Sequence, residues 1–242
     1  MFTVGFCQVY NEESKGNLRR FLDSFTKIVD HVFIYDDGST DNSVDVAASY
    51  KGVSVFPGSK NEFGKEIEHK QFLLNHVLEC DPSHILWLDA DEVFEKRVED
   101  NNLIRELAAN MDCDAYTFPQ INLWRSEAYF RLDNQYGDGI FTRLWRNNGK
   151  LHYNVKNGLH HRQYPDGINT VKDSDLLVLH YGFVSDNSII DKYHTYKSHG
   201  QSGWELNRLI DENGLTLGKS KPEWFGRHPL GEIPSAPIKT RI

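Results

Sequence analysis

The chain has 242 residues, of which 39% are hydrophobic, 26% charged and 12% aromatic, an ordinary globular composition that excludes a disordered tail, a collagen or a low-complexity linker. Its 27 basic and 35 acidic side chains leave a formal charge of −8, and no Lys/Arg run is long enough for a nucleic-acid footprint. A phosphorylated ligand would therefore need something other than bulk charge to neutralise it.

Phe2–Val9 is a short apolar run and reads as a buried strand. Leu18, Phe21, Leu22, Phe25 and Val29 follow at helical spacing, with Arg19, Arg20, Asp23 and Lys27 on the other face. Val32–Tyr35 is a second strand and opens into the turn-rich segment Asp36–Ser43, where Asn42 or Asp41 caps a helix expected to run through Tyr50. Val53–Phe56 is a third strand, closed by Pro57 and Gly58, and Ile67–Leu78 is a helix. Ile85–Leu88 is a fourth strand, Leu103–Asn110 a helix and Ala115–Phe118 a fifth strand. Strands are expected again at Phe141–Trp145 and Leu176–Leu179, then a helix over Ile189–His199. The alternation of strand and helix predicts an α/β fold with a mostly parallel sheet flanked by helices, followed by a less regular C-terminal extension. No internal repeat or linker is visible. One domain is expected over residues 1–218, with a proline-containing arm over 219–242.

Cys7, Cys80 and Cys113 are odd in number and match no disulfide framework or zinc spacing; Cys7 and Cys80 lie in apolar runs and read as buried free thiols. No signal peptide and no apolar stretch long enough to span a bilayer is visible, which predicts a cytoplasmic protein and leaves peripheral membrane contact open.

Three segments carry chemistry. Leu86-Trp87-Leu88-Asp89-Ala90-Asp91-Glu92 delivers three carboxylates at the end of an apolar strand, and an extended backbone would put Asp89 and Asp91 on one side. Two hard oxygen ligands there suit Mg²⁺ or Mn²⁺; the alternative is that Asp89 caps the next helix and Glu92 is merely solvated. Ile34-Tyr35-Asp36-Asp37-Gly38-Ser39-Thr40-Asp41 is either a polar turn with a helix cap or a carboxylate that accepts from a nucleobase or ribose. Val9-Tyr10-Asn11-Glu12-Glu13 is either a helix entry or one wall of a nucleotide pocket. Both Asp36/Asp37 and Asp89/Asp91 fall at strand C-terminal ends, where ligands bind in open parallel sheets.

In order and spacing these segments, over about Thr3–Glu95, resemble the nucleotide-sugar-binding half of the family 2 glycosyltransferases, which have the GT-A fold. Within that family the chain looks most like small members with Asp-Ala-Asp-Glu and a later motif matched here by Arg143-Leu144-Trp145-Arg146. The resemblance implies a nucleotide-sugar half over 1–95 and an acceptor half over 96–218. It implies that Val9, Tyr10 and Asn11 lie beside base and ribose, that Asp36 and Asp37 contact the base or ribose, and that Asp89 sits near ribose and metal. Asp91 would ligate a Mn²⁺ or Mg²⁺ ion bridging the donor diphosphate. A basic residue on the preceding helix is expected, with Lys65, His69 and Lys70 as candidates. Val178-Leu179-His180-Tyr181-Gly182 resembles a strand-His-Tyr-Gly end, which makes His180 the candidate third metal ligand, against a plain strand-end histidine.

For the base that deprotonates the acceptor the candidates are Asp138, Glu127 and His160, although the family's His-Glu pair is His160-His161 here. Trp124, Tyr129, Phe130, Tyr136, Trp145 and Tyr153 populate the acceptor region, most of them as core. The expected activity is metal-dependent, inverting transfer of a sugar from a nucleotide-diphosphate-sugar donor to a glycan or other hydroxyl acceptor, in glycan or polysaccharide synthesis. A nucleotidyltransferase and a non-catalytic nucleotide- or sugar-binding module on the same fold are the alternatives. Oligomeric state is open.

Overall fold

Helix α1 (Asn17–Ile28) places Leu18, Phe21, Leu22, Phe25 and Ile28 on its buried face, and Phe25 reaches strand β1 (Thr3–Val9) at Gly5. The helix comes so close that a Cβ on Gly5 would lie 2.3 Å from the Phe25 ring, so only glycine fits at that strand position.

The structure, a computed structural model, describes residues 1–127, 130–131, 139–154, 163–211 and 214–215. It divides into a first unit, residues 1–118 and 140–176, and a second, residues 119–139 and 177–242. Among the described residues no helix is long and apolar enough to cross a membrane.

In the first unit β2 (His31–Asp36), β3 (Val53–Pro57) and β4 (His84–Trp87) join β1 in the order β3-β2-β1-β4, all parallel. β7 (Ile140–Arg146) adds to β4 antiparallel, with Leu86 opposite Leu144. The parallel register sets Val9 beside Asp36 and Phe6 beside Trp87, so β1, β2 and β4 deliver their C-terminal ends to one edge of the sheet. Two parallel bonds extend that edge, from the Asp37 N–H to the Val9 carbonyl (2.8 Å) and from the Gly58 N–H to the Asp36 carbonyl (2.7 Å). Helix α3 (Glu66–Glu79) buries Ile67, Leu73, Leu74 and Val77 against Phe6, Phe33, Ile85, Trp87 and Trp145. Tyr153 and Trp145, both aromatics of the second half, belong to this core. The start of β6 (Ala115–Asn122) pairs in parallel with β8 (Val171–Asp173).

Several elements depart from the sequence expectation. Helix α2 (Ser43–Ala48) stops short of Tyr50; Asp41 accepts the Ser43 N–H (2.9 Å), whereas Asn42 makes no side-chain cap. β5 (Glu92–Phe94) and α4 (Lys96–Asp100) were not expected; α5 (Leu103–Ala109) was. Cys7 and Cys113 are buried, but Cys80 is exposed, because it sits at the C-cap of α3, beyond the last buried turn.

In the second unit the end of β6 pairs in parallel with β9 (Val178–His180), with Asn122 opposite His180. Helix α6 (Asp186–Ser198) begins three residues before the expected Ile189, because Ser185 and Ser188 form a reciprocal capping box. Trp124, Phe183, Ile189 and Leu209 make the core of this unit, which also holds α7 (Trp204–Asn207) and the short pair β10 (Ile210–Asp211) and β11 (Gly214–Leu215). Phe130 is buried as well; Tyr129, Tyr136 and the arm over 219–242 lie outside the described residues.

Candidate active site

The loops after β1 and β2 are tied together by short polar side chains. Asn11 takes a left-handed backbone (φ 52°), which asparagine tolerates better than most residues. Its Oδ1 accepts from the Thr40 N–H (2.7 Å) and the Asp41 N–H (3.3 Å), and its own N–H donates to Ser39 Oγ (2.8 Å). Asp41 accepts from Ser14 N–H (2.8 Å) as well as Ser43, and Ser39 N–H donates to Asp36 Oδ2 (2.8 Å). The Oδ1 of Asn11 is thus spent on holding the loop, beside the exposed Tyr10.

Asp36 and Asp37 are both buried, and Asp37 Oδ1 accepts the Glu62 N–H (2.9 Å) with His69 Nδ1 3.8 Å away. Burial pushes the Asp37 carboxyl up, against the opposing pull of that N–H and of His69. His69 stacks on Tyr35 with ring centroids 4.1 Å apart. Gly38 turns the chain here with φ 73°, and a Cβ on it would meet the Lys60 backbone at 2.4 Å.

The Asp89–Glu92 segment corrects the sequence reading. It is a tight turn, closed by the Glu92 N–H on the Asp89 carbonyl (2.9 Å), and not an extended run, so the two-residue alternation does not place Asp89 and Asp91. The segment delivers two carboxylates rather than three. Glu92 is 1% exposed, neither solvated nor at the open end: Oε2 accepts the Asp89 N–H (2.9 Å) and Oε1 pairs with Arg143. Asp89 caps no helix.

Two buried cations flank Trp87. Lys70 Nζ lies 3.9 Å and the Arg143 guanidinium carbon 4.1 Å from its ring centroid. Lys70 also donates to Glu66 Oε1 (2.5 Å) and Gln163 Oε1 (2.6 Å). Burial raises the Asp89 carboxyl; Arg143 and Lys70 oppose the shift, while the charge of Asp91 adds to it. Glu12 is raised by burial and by Asp91, although Lys15 (2.6 Å) and Asn17 (2.8 Å) hold its two oxygens. The Cys7 thiol is pushed well up by burial and then by Asp89, Glu12, Asp91 and Glu92.

Among the described residues no three His, Cys, Asp or Glu side chains gather to hold a metal ion. The Asp89 carboxylate, partly buried, has no hydrogen-bond or ion-pair partner among them. Hard oxygen donors carrying excess negative charge fit a divalent cation that takes its other ligands from water and a diphosphate.

The first unit thus brings Val9, Tyr10, Asn11, Asp36, Asp37, His69, Lys70, Asp89 and Asp91 together, at the sheet edge and on α3 beside it. Lys65 is exposed and ion-paired with Glu62 (2.8 Å). In the second unit His180 is buried, with Nδ1 2.8 Å from Asn122 Oδ1, and Glu127 is half-buried in a turn. Asp138 and His160 lie outside the described residues. Sequence reasoning missed the Glu92–Arg143 pair and the burial of Lys70. The second had a signal: Lys70 occupies the apolar stripe of α3 between Ile67 and Leu74.

A parallel sheet with acidic loops at one edge and a two-carboxylate turn closing the strand beside them defines the GT-A class, and solved structures share the fold. S. aureus TarS 1–349 superposes on 86% of this chain and 69% of its own (TM-score 0.51, 12% identity), and its complex with UDP-GlcNAc does so at TM-score 0.54 over 86% and 70%, also at 12% identity. The mannosyltransferase PcManGT of Pyrobaculum calidifontis, solved with GDP-Man and Mn²⁺, is a more distant likeness (TM-score 0.46, 13% identity, 83% and 65%). No curated protein matches the sequence. The family model for glycosyl transferase family 2 matches residues 8–179, and the chain belongs to that family. Its class is glycosyl transfer and not nucleotidyl transfer.

Proposed function

We propose that this protein moves a sugar from a nucleotide-diphosphate-sugar donor to an acceptor hydroxyl, with inversion and with Mn²⁺ or Mg²⁺, in glycan or polysaccharide synthesis. The observation that carries the reading is the turn after β4. It holds Asp91 and a partly buried Asp89 carboxylate, which has no hydrogen-bond or ion-pair partner among the described residues, beside two buried cations. Asp89 and Asp91 would hold the ion, which when bound offsets the charge of the departing nucleoside diphosphate. Val9, Tyr10 and Asn11 wall the base on one side, and Asp37 accepts from base or ribose on the other. Asp36 orients that turn through Ser39. Lys70 and Arg143, beside Asp89, oppose the upward shift that burial imposes on its carboxyl. The donor class follows that of the family, and TarS, which shares the fold, has been solved with UDP and UDP-GlcNAc. Glu127→Gln, Asp138→Asn and His160→Gln, assayed for transfer at saturating donor, identify the acceptor base, and His180→Ala tests the proposed further ligand.

The test is thermal stabilisation by a panel of nucleoside diphosphates and nucleotide sugars, with and without Mn²⁺. A ligand at ~100 times its Kd stabilises by about 2.7 kcal/mol. The expected result is a Mn²⁺-dependent shift with one base, lost in Asp91→Ala. No shift with any saturating nucleotide would overturn the donor-site reading.

A further inference from the structure

We infer that Glu92 and Arg143 are positioning residues for the two-carboxylate turn: their buried ion pair sets the geometry in which Asp89 and Asp91 meet a divalent cation. The inference rests on the proposed metal-dependent function and adds to it a pair of residues outside the Asp-Ala-Asp segment. Glu92 is 1% and Arg143 2% exposed. One Glu92 oxygen takes the Arg143 guanidinium, and the other takes the Asp89 N–H at 2.9 Å. The Glu92 N–H returns to the Asp89 carbonyl at 2.9 Å. Asp89 is therefore held at both its N–H and its carbonyl by one residue, and that residue is anchored on β7. The register explains the anchor: Leu86 faces Leu144, which brings Arg143 alongside Trp87, and its guanidinium lies 4.1 Å from the indole centroid. A buried ion pair is a poor way to gain stability, since well-packed apolar residues of similar volume do as well or better. Its position, on the one backbone segment that carries both Asp89 and Asp91, points to geometry as its use. Outer groups that orient metal-binding side chains commonly set affinity by about ten- to a hundredfold.

The experiment titrates Mn²⁺ into the full-length protein and follows the free Mn²⁺ paramagnetic resonance signal, with Mn²⁺ alone and with UDP or GDP added. Thermal unfolding of each variant is recorded beside it. Replacing Glu92 alone by alanine would remove the carboxylate paired with a buried guanidinium, so the main variant is the neutral double substitution Glu92→Gln with Arg143→Met. We expect it to unfold within a few degrees of wild type and to bind Mn²⁺ about ten- to a hundredfold more weakly. Glu92→Gln alone keeps an oxygen for the Asp89 N–H and should fall between. A folded double variant that binds Mn²⁺ within about threefold of wild type overturns the positioning role and leaves the metal reading standing. If the double variant does not fold, Glu92→Gln decides: weakened binding supports the role, and wild-type binding overturns it. Failure of the wild-type protein to bind Mn²⁺ under any of these conditions, or undiminished binding by Asp91→Asn, overturns the metal reading and this inference with it.

Discussion

Replacing Asn11 tests the clasp between the β1 and β2 loops, and two substitutions separate its two ingredients. Alanine removes the Oδ1 acceptor that holds the Thr40 N–H at 2.7 Å and the Asp41 N–H at 3.3 Å. A net loss of about 1–2 kcal/mol follows, since one bond is short, one is long and the site is only partly buried. Alanine must also occupy φ 52°, where an ordinary side chain costs about 1–2 kcal/mol. The sum is about 2–4 kcal/mol. Glycine loses the same hydrogen bonds but tolerates the left-handed backbone, so it should cost about 1 kcal/mol less than alanine. Urea unfolding at fixed pH, followed by tryptophan fluorescence, measures both. The expected order of stability is wild type, Asn11→Gly, Asn11→Ala, with unchanged denaturant slopes. An alanine variant as stable as wild type, or a glycine variant no better than alanine, would refute the account.

Gly38→Ala should destabilise by about 2 kcal/mol or more, because it combines φ 73° with a Cβ 2.4 Å from the Lys60 backbone, which cannot swing away as a side chain would; an unchanged Tm would contradict this. His84 is buried on β4, and burial, helped by the charge of Arg146, holds its pKa below the usual histidine value. The unfolded chain then takes up the proton first, so stability should fall as pH drops through about 6.5, by at most about 1.4 kcal/mol per pH unit from this group. His31 and His69, also lowered by burial, act in the same direction. Urea midpoints at pH 7.5 and 5.5 should differ less in His84→Gln than in wild type, and an equal difference would sink the assignment.

The elements that the sequence predicted well are those whose pattern is local. β1, β2 and β4 are apolar runs bounded by turn residues, and α1 repeats its apolar positions at helical spacing, so burial and periodicity coincide. The acidic loops were placed correctly at strand ends for the same reason. What escaped depends on partners far away in the chain. Glu92 looks like a surface acid until Arg143, 51 residues later, is folded onto it, and without that pairing β5 has no reason to bury its first residue. Nor does a local rule show that the backbone turns between Asp89 and Glu92, because the bond that closes the turn competes with an extended strand of the same composition. Nothing local reveals that Thr40 and Asp41 claim the side-chain oxygen of Asn11. Cys80 was misjudged from apolar neighbours that face inward while it faces out.

That last residue has a practical consequence. With Cys7 and Cys113 enclosed, a maleimide dye should attach to the folded protein at one place, the end of α3. The same helix carries His69 and Lys70 at its other end, so a single fluorophore could be installed without genetic change, on the element that reaches the C-terminal edge of the parallel strands yet several turns away from it.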